Sequence, residues 1–352
     1  MLSEDGQSLV SCQDSIARIW ALESGLRQQQ DAHRDSVTGV SCSFDGTLVA
    51  SCSLDRSVKL WSAASGFLVE TFLGHSGGVL CVCFSSDGRY VASGSEDKSA
   101  NVWLVSTGAL LFSLEHERGV QQVGFSPDSL SLFTLSQGSP VKQWDLRDGS
   151  ELRAFDASSH VDYIVCFAVS KNGEVASGSN GRIVIQNKDA EVVHEIEAHE
   201  GCVRSIAFNE DGTKLASGSE DCSCKVWDAN DGALVAEIPH ADPIMQVQFS
   251  SGNTLVTACR NNVITTFGTN FEEKENEITG NSFSLYNEIK VVADELLVKV
   301  VDNNGIVIWA TRNYVLSLKA SNITDAIELS ERNKLLWAQH NKNETEEDSQ
   351  CY

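Results

Sequence analysis

No run of eighteen or more apolar residues occurs in the 352 positions of this chain, so no segment reads as a membrane-spanning helix. The first residues, MLSEDGQSLV, have neither the basic start nor the apolar stretch of a signal peptide. Basic residues are scarce: 26 Lys and Arg stand against 49 Asp and Glu, for a formal net charge of −23. Such a surface repels phosphate backbones, so direct nucleic-acid binding is not expected. Bulk electrostatics favours basic partners, and the charge also keeps a protein soluble. There is no Gly-rich phosphate loop and no His-Glu-x-x-His. Cys81 with Cys83, and Cys222 with Cys224, are isolated CxC pairs without the second pair that a zinc site needs. No cofactor or metal is expected. The eleven cysteines lie in strand-like runs such as Val79 to Phe84, and reduced core thiols in the cytosol or nucleus are the expectation.

What the sequence does hold is a period. Trp20, Trp61, Trp103, Trp144, Gln186, Trp227, Phe267 and Trp309 form a ladder with steps of 41, 42, 41, 42, 41, 40 and 42 residues. Histidines keep the same period at His33, His75, His116, His160, His199 and His240. A third ladder places Gly25, Gly66, Gly108, Gly149 and Gly232 five residues after their ladder tryptophans. Asp45-Gly46, Asp87-Gly88, Asn172-Gly173 and Asp211-Gly212 read as hairpin turns, because such turns need positive φ. The runs between turns are too short for helices and rich in β-formers. Each repeat therefore reads as four antiparallel strands, which is one blade of a β-propeller.

The run His199 to Trp227-Asp228, with Asp211-Gly212 and Leu215-Ala216-Ser217-Gly218-Ser219-Glu220-Asp221 inside it, resembles the WD-repeat family. His75 to Trp103 resembles it too, and the likeness covers roughly residues 2–310. The fold class expected is all-β, a propeller of four-stranded antiparallel blades. Eight blades are expected on the tryptophan ladder, with seven plus an irregular one as the alternative. Residues 1–340 are expected to be the propeller and 341–352 an acidic disordered tail. The N-terminus starts late in a repeat, so Ile323 to Leu329 is expected to supply the first blade's missing strand. The acidic stretch from Glu272 to Asn287 is expected to be an exposed hairpin.

Three repeats carry a histidine, a serine and an aspartate with the tryptophan. They are His33, Ser51, Asp55 and Trp61; His75, Ser93, Asp97 and Trp103; and His199, Ser217, Asp221 and Trp227. Serine, histidine and aspartate are the parts of a hydrolase triad. An enzyme needs one such set, however, and this chain has three in register with the fold period. The resemblance implies instead a hydrogen-bonded tetrad inside each blade, so no enzymatic activity is expected. The pattern decays at Gly138, at Asn180 with Gln186, at Asn261 with Phe267, and at Asn303.

With no chemistry in view, a scaffold or adaptor for other proteins is the expected function. The resemblance also implies a contact face. It carries the fifth residue after each histidine and the residue before each aspartate or the residue in its place. The first set is Thr38, Leu80, Gln121, Val165, Arg204 and Met245; the second is Gln13, Leu54, Glu96, Gln137, Ser179, Glu220 and Arg260. Tyr163 lies in a neighbouring loop. Two finer functions stand beside the scaffold. Trp144-Asp145-Leu146-Arg147 resembles the WDxR motif by which some WD-repeat proteins dock onto a cullin-type ubiquitin ligase, although Gly138 replaces its upstream aspartate. A reader of basic peptides such as histone tails would need an acidic ring, with Glu96 and Glu220 as candidates.

Overall fold

The computed structural model describes residues 33–271 with their side chains, apart from 64, 66, 156–162, 250–252, 262, 264, 269 and 270. It describes the backbone of further strands within 8–30 and 274–312. The closing segment expected at Ile323 to Leu329 and the tail at 341–352 lie outside the described residues. Two compact units divide the chain, Met1–Asn276 and Glu277–Tyr352.

Every regular element among the described residues is a β-strand. The first unit opens with β1 (Ser8–Gln13), β2 (Ile16–Ala21) and β3 (Gly25–Gln30), paired in that order as a three-stranded sheet. Four-stranded antiparallel meanders follow. One comprises β4 (Val37–Cys42), β5 (Leu48–Ser53), β6 (Ser57–Ser62) and β7 (Leu68–Leu73). The next comprises β8 (Val79–Phe84), β9 (Tyr90–Ser95), β10 (Ser99–Leu104) and β11 (Leu110–Glu115), and then β12 (Val120–Phe125), β13 (Ser131–Ser136), β14 (Val141–Asp145) and β15 (Glu151–Phe155).

A seven-stranded sheet comes next: β16 (Cys166–Val169), β17 (Val175–Gly178), β18 (Asn180–Gln186), β19 (Val192–Phe208), β20 (Lys214–Ser219), β21 (Ser223–Asp228) and β22 (Leu234–Pro239). It is two meanders sharing β19, whose 17 residues serve as the last strand of one and the first of the next. A further sheet holds β23 (Ile244–Phe249), β24 (Leu255–Cys259), β25 (Ile264–Phe267) and β26 (Lys274–Ile278). These four-stranded antiparallel sheets are the all-β class of four-stranded blades read from the repeat period.

The second unit contributes β27 (Phe283–Leu285), β28 (Ile289–Asp294), β29 (Leu297–Asp302) and β30 (Val307–Arg312). In the first unit the ladder residue sits on the third strand of each four-stranded meander, as Trp61 does on β6. Here Trp309 sits on the fourth, so this sheet begins one strand early. The stretch from Glu272 to Asn287 corrects one expectation: its strands β26 and β27 pair in different sheets rather than with each other as a hairpin. A single hairpin would have needed the two runs in mutual register, and each instead finds a neighbour in sequence.

The core of the first unit lies between sheets. One apolar cluster joins Ala50, Val58, Leu60 and Phe72 of one sheet to Val79, Val91 and Trp103 of the next. Trp103 stacks on Phe72 with ring centroids 5.3 Å apart. The second strand of a meander is covered on both faces, which explains its small residues. A Cβ on Gly94 would lie 2.7 Å from both Cys81 Sγ and Val120 Cγ1. The first strands of successive sheets are also pinned by side chains. Gln122 donates from Nε2 to the Phe167 carbonyl at 2.9 Å and accepts the Phe167 amide at 3.0 Å. Ser205 makes the same double contact with Val247, accepting its amide at 3.1 Å.

Candidate functional site

The tetrads fix the loop face, and they are larger than the spacing predicts. In the first, Trp61 Nε1 donates to Ser51 Oγ at 2.8 Å, and Ser51 Oγ lies 2.8 Å from His33 Nε2. His33 Nδ1 lies 3.0 Å from Asp55 Oδ2. The proton assignment that satisfies all partners puts hydrogen on Nδ1, so the serine donates to Nε2. The other two copies match: His75 to Asp97 at 2.9 Å and to Ser93 at 2.8 Å, His199 to Asp221 at 2.9 Å and to Ser217 at 2.8 Å.

The sequence reading missed a fifth member. Ser57, Ser99 and Ser223, two residues past each aspartate, donate to its Oδ1 at 2.6, 2.7 and 2.7 Å. Spacing alone could have shown them, since all three sit at the same step. Ser51, Ser93 and Ser217 are fully buried, and each is engaged by both an indole and an imidazole. A nucleophile must reach its substrate, and these hydroxyls do not.

Burial is the largest influence on the Asp55 carboxyl and would raise its pKa. The Ser57 hydroxyl, the Arg34 and Ser57 amides and His33 outweigh it and hold the group at about 2. Asp97 is held at about 2 by the same balance. Desolvation lowers His33, His75 and His199 below the ordinary histidine value, against the pull of their aspartates. The imidazoles are therefore neutral at pH 7.

Decayed repeats keep part of the network. Thr134 takes the serine's place between Trp144 Nε1 and His116 Nε2, both at 2.8 Å. Thr257 meets His240 Nε2 at 2.8 Å. With no aspartate present, the Nδ1 of each of these histidines turns to a carbonyl two residues back, Leu114 at 3.0 Å and Ile238 at 3.1 Å.

Two backbone devices, repeated from sheet to sheet, bring the expected contact residues onto this face. The first strands of five meanders, β4, β8, β12, β19 and β23, carry a register shift, between Val37 and Gly39, Val79 and Cys81, Val120 and Gln122, Val203 and Ser205, and Ile244 and Gln246, whereas β16 pairs with β17 without one. The residue left over is Thr38, Leu80, Gln121, Arg204 or Met245, and a bulge of this kind re-aims a side chain out of the ladder. The second device is one hydrogen bond. The amides of Leu54, Glu96, Gln137, Glu220 and Arg260 donate to the carbonyls of Ser36, Gly78, Gly119, Cys202 and Pro243, at 2.9–3.1 Å. Four of them bind the turn before the third strand to the loop before the first, and the fifth binds that turn to the middle of β19.

The resulting side chains are mostly exposed, among them Met245 and, at 63 %, Tyr163; Leu80 is half-buried. Arg204 donates from Nε to Glu220 Oε1 at 3.0 Å and from Nη2 to the same oxygen, and Tyr163 is within electrostatic reach of that guanidinium. Leu54 and Glu96 converge over Gly78, where a Cβ would stand 2.8 Å from Leu54 Cδ2 and 3.1 Å from Glu96 Oε2. Gln121, Gln137, Met245 and Arg260 hold equivalent positions in their own sheets. One expectation fails. Ser179 is 1 % exposed, because its turn is a residue shorter than the others and β18 pairs directly with β19 at Asn180 and Cys202. The side chain of Gln13 lies outside the described residues. Arg147 is exposed at the opposite end of its sheet, after β14, and grips Asp145 through Nε at 3.1 Å and Nη2 at 2.6 Å.

Comparison with known proteins agrees with this geometry. The family model described as WD domain, G-beta repeat matches residues 25–62, 66–103 and 190–228. Those are the segments that carry the three complete tetrads. The chain is 30 % identical over 208 residues to "WD repeat-containing protein SL1-17" of Schistosoma mansoni, covering 59 % of this chain and 55 % of that protein. It is 22 % identical to "Protein groucho" of Drosophila melanogaster, over 72 % of this chain and 30 % of that one. It is 27 % identical to "Periodic tryptophan protein 2 homolog" of Dictyostelium discoideum, over 71 % and 23 %. The chain thus spans about half the length of these relatives, or less.

Proposed function

Because this chain is a WD-repeat protein, we propose that it works as an interaction scaffold that presents its loop face to a partner protein. The observation that carries the reading is the repeated amide-to-carbonyl bond that sets Leu54, Glu96, Gln137, Glu220 and Arg260 in equivalent places. It gives a rigid frame for a surface where exposed Leu54, Met245 and Tyr163 mix with arginine. Apolar anchors, Met, Tyr and Arg are the residues that interfaces favour. In this reading the protein acts in the cytosol or nucleus, without a cofactor. The finer alternatives have less support. Arg147 of the WDxR motif is held by Asp145 and lies away from this face. An acidic ring for basic peptides would need Glu220, which Arg204 already neutralises.

The test is affinity capture from cell extract with the wild-type chain and with a Leu80→Glu, Arg204→Glu, Arg260→Glu variant of unchanged melting temperature. Specific proteins retained by the first and absent from the second support the reading. Equal capture by both would remove this face from consideration.

A further inference from the structure

Three sheets hold an aspartate carboxylate on the loop face, and a fourth lacks it while keeping a donor for it. In the first three, the amide that follows the tetrad histidine donates to the carboxylate: Arg34 and Ser76 at 2.8 Å, Glu200 at 3.1 Å. In the sheet of β12 to β15 the corresponding amide belongs to Glu117, and Gly138 stands at the aspartate's position. Among the described residues the Glu117 amide meets no acceptor. His116 does not turn toward the gap either, since its Nδ1 is engaged by Leu114.

The gap is not bare. A Cβ on Gly138 would lie 3.2 Å from Arg118 Nη1, so a guanidinium stands beside the turn that carries the aspartate in the sister sheets, although here the positive φ falls on Gly138 itself rather than on the residue after it. The equivalent position is Gly77 and Gly201 in two sister sheets and Asp35 in the third; only here is it cationic. Arg118 is exposed and joins no ion pair among the described residues. Nearby charge is mixed. Glu96 lies close, its Cα 3.3 Å from a Cβ placed on Gly119, and Glu117 has its own carboxylate. On the other side the Lys98 carbonyl accepts the His116 amide, which brings that lysine alongside. The general field therefore selects nothing, and the two directed donors decide the ligand.

We propose that the Glu117 amide and the Arg118 guanidinium form a carboxylate-binding notch, which takes an aspartate or glutamate side chain from the scaffold's partner. That side chain would bond the amide whose counterparts bond Asp55, Asp97 and Asp221. A guanidinium and a backbone N–H give a carboxylate charge-assisted bonds with defined direction. The proposal rests on the scaffold reading above and names the chemistry of its partner.

The experiment presents the full-length chain with immobilised peptides that carry one fixed Asp or Glu in random flanks, beside a matched set with Asn or Gln. The acidic set is expected to be retained over the amide set. For the strongest peptides, Arg118→Ala and Gly138→Asp should each weaken binding tenfold or more, the second because it sets a carboxylate of the chain's own beside the same guanidinium. Aspartate is among the residues that tolerate a left-handed backbone, and Gly138 has φ 69°. Arg118→Ala alters only an exposed side chain, so it decides the matter if Gly138→Asp fails to fold. Equal retention of the two sets, or acidic peptides that bind Arg118→Ala as well as wild type, overturns the notch. Peptides lost on Leu54→Glu but not on Arg118→Ala would keep the face and overturn the notch. Peptides lost on Arg118→Ala but indifferent to Leu54→Glu and Arg260→Glu would keep the notch and overturn the wider face.

Discussion

His116 gives its Nδ1 proton to the Leu114 carbonyl 3.0 Å away, two residues back along its own chain. His33, His75 and His199 give theirs to an aspartate from a separate turn. The first bond is local and holds nothing else. The second ties the turn before the third strand to the loop before the first or, for His199, to β19. Complete and decayed repeats should therefore differ in how firmly their loop face is held.

That difference is measurable by substitution. Asp97→Ala strips the acceptor from the Ser76 amide, the Ser99 hydroxyl and His75, leaving the buried imidazole's Nδ1 without its carboxylate. A loss of about 3 kcal/mol is expected. Urea unfolding of wild type and variant checks it. Amide exchange adds a second reading, faster in the sheet of β12 to β15 than in that of β8 to β11; uniform protection would contradict the idea.

Acid should weaken the fold in two windows. The buried histidines have pKa values below the ordinary 6.5, so the unfolded chain takes up protons first as pH falls past that value, and stability drops. Asp55 and Asp97 titrate at about 2 in the fold against 3.8 ordinarily. Their contribution is present above 3.8 and disappears between 3.8 and about 2. Denaturation midpoints measured from pH 8 down to 5 should fall continuously below about 6.5. A midpoint that stays flat or rises over that range would show that these imidazoles are not neutral in the fold.

Gln122→Ala removes the double contact with Phe167 and leaves a backbone donor and acceptor without partners at the junction of two sheets. A cost of about 1–3 kcal/mol is expected. The Phe167 amide should lose exchange protection more than its neighbours do, which separates a local break from a general loosening.

Gly181→Ala and Gly88→Ala make a matched pair. Both glycines have positive φ, 76° and 69°. Around Gly88 nothing lies within 4 Å of an added Cβ, so only the backbone term of about 1 kcal/mol applies. A Cβ on Gly181 would stand 2.5 Å from the His199 carbonyl oxygen. The Gly181 variant should melt well below the Gly88 variant, and similar melting temperatures would count against the close approach.

Much of this was legible in the sequence, for a physical reason. A repeat that packs only on its neighbours must solve the same burial problem each time, so Trp61, Trp103 and Trp227 recur with their serines ten residues earlier. Thr134 keeps that step before Trp144 and could have been read as a hydroxyl substitute. Ser177 lies nine residues before Gln186, and this missing residue is what buries Ser179. Other features left no periodic trace. Arg204 and Glu220 pair across sixteen residues only because a bulge and a turn bring them together. The shift of Trp309 to a fourth strand depends on which run pairs with β28, and both candidates are short and apolar.

The shared strand β19 has a mechanical meaning. Between β7 and β8, β11 and β12, and β22 and β23, a short loop separates one sheet from the next and the chain can give way there. At β19, β18 pairs with both halves, at Glu197 and at Cys202, so no slack lies between the two meanders. Pulled or locally melted, those two should fail together, as one step of roughly double length where their neighbours come away singly.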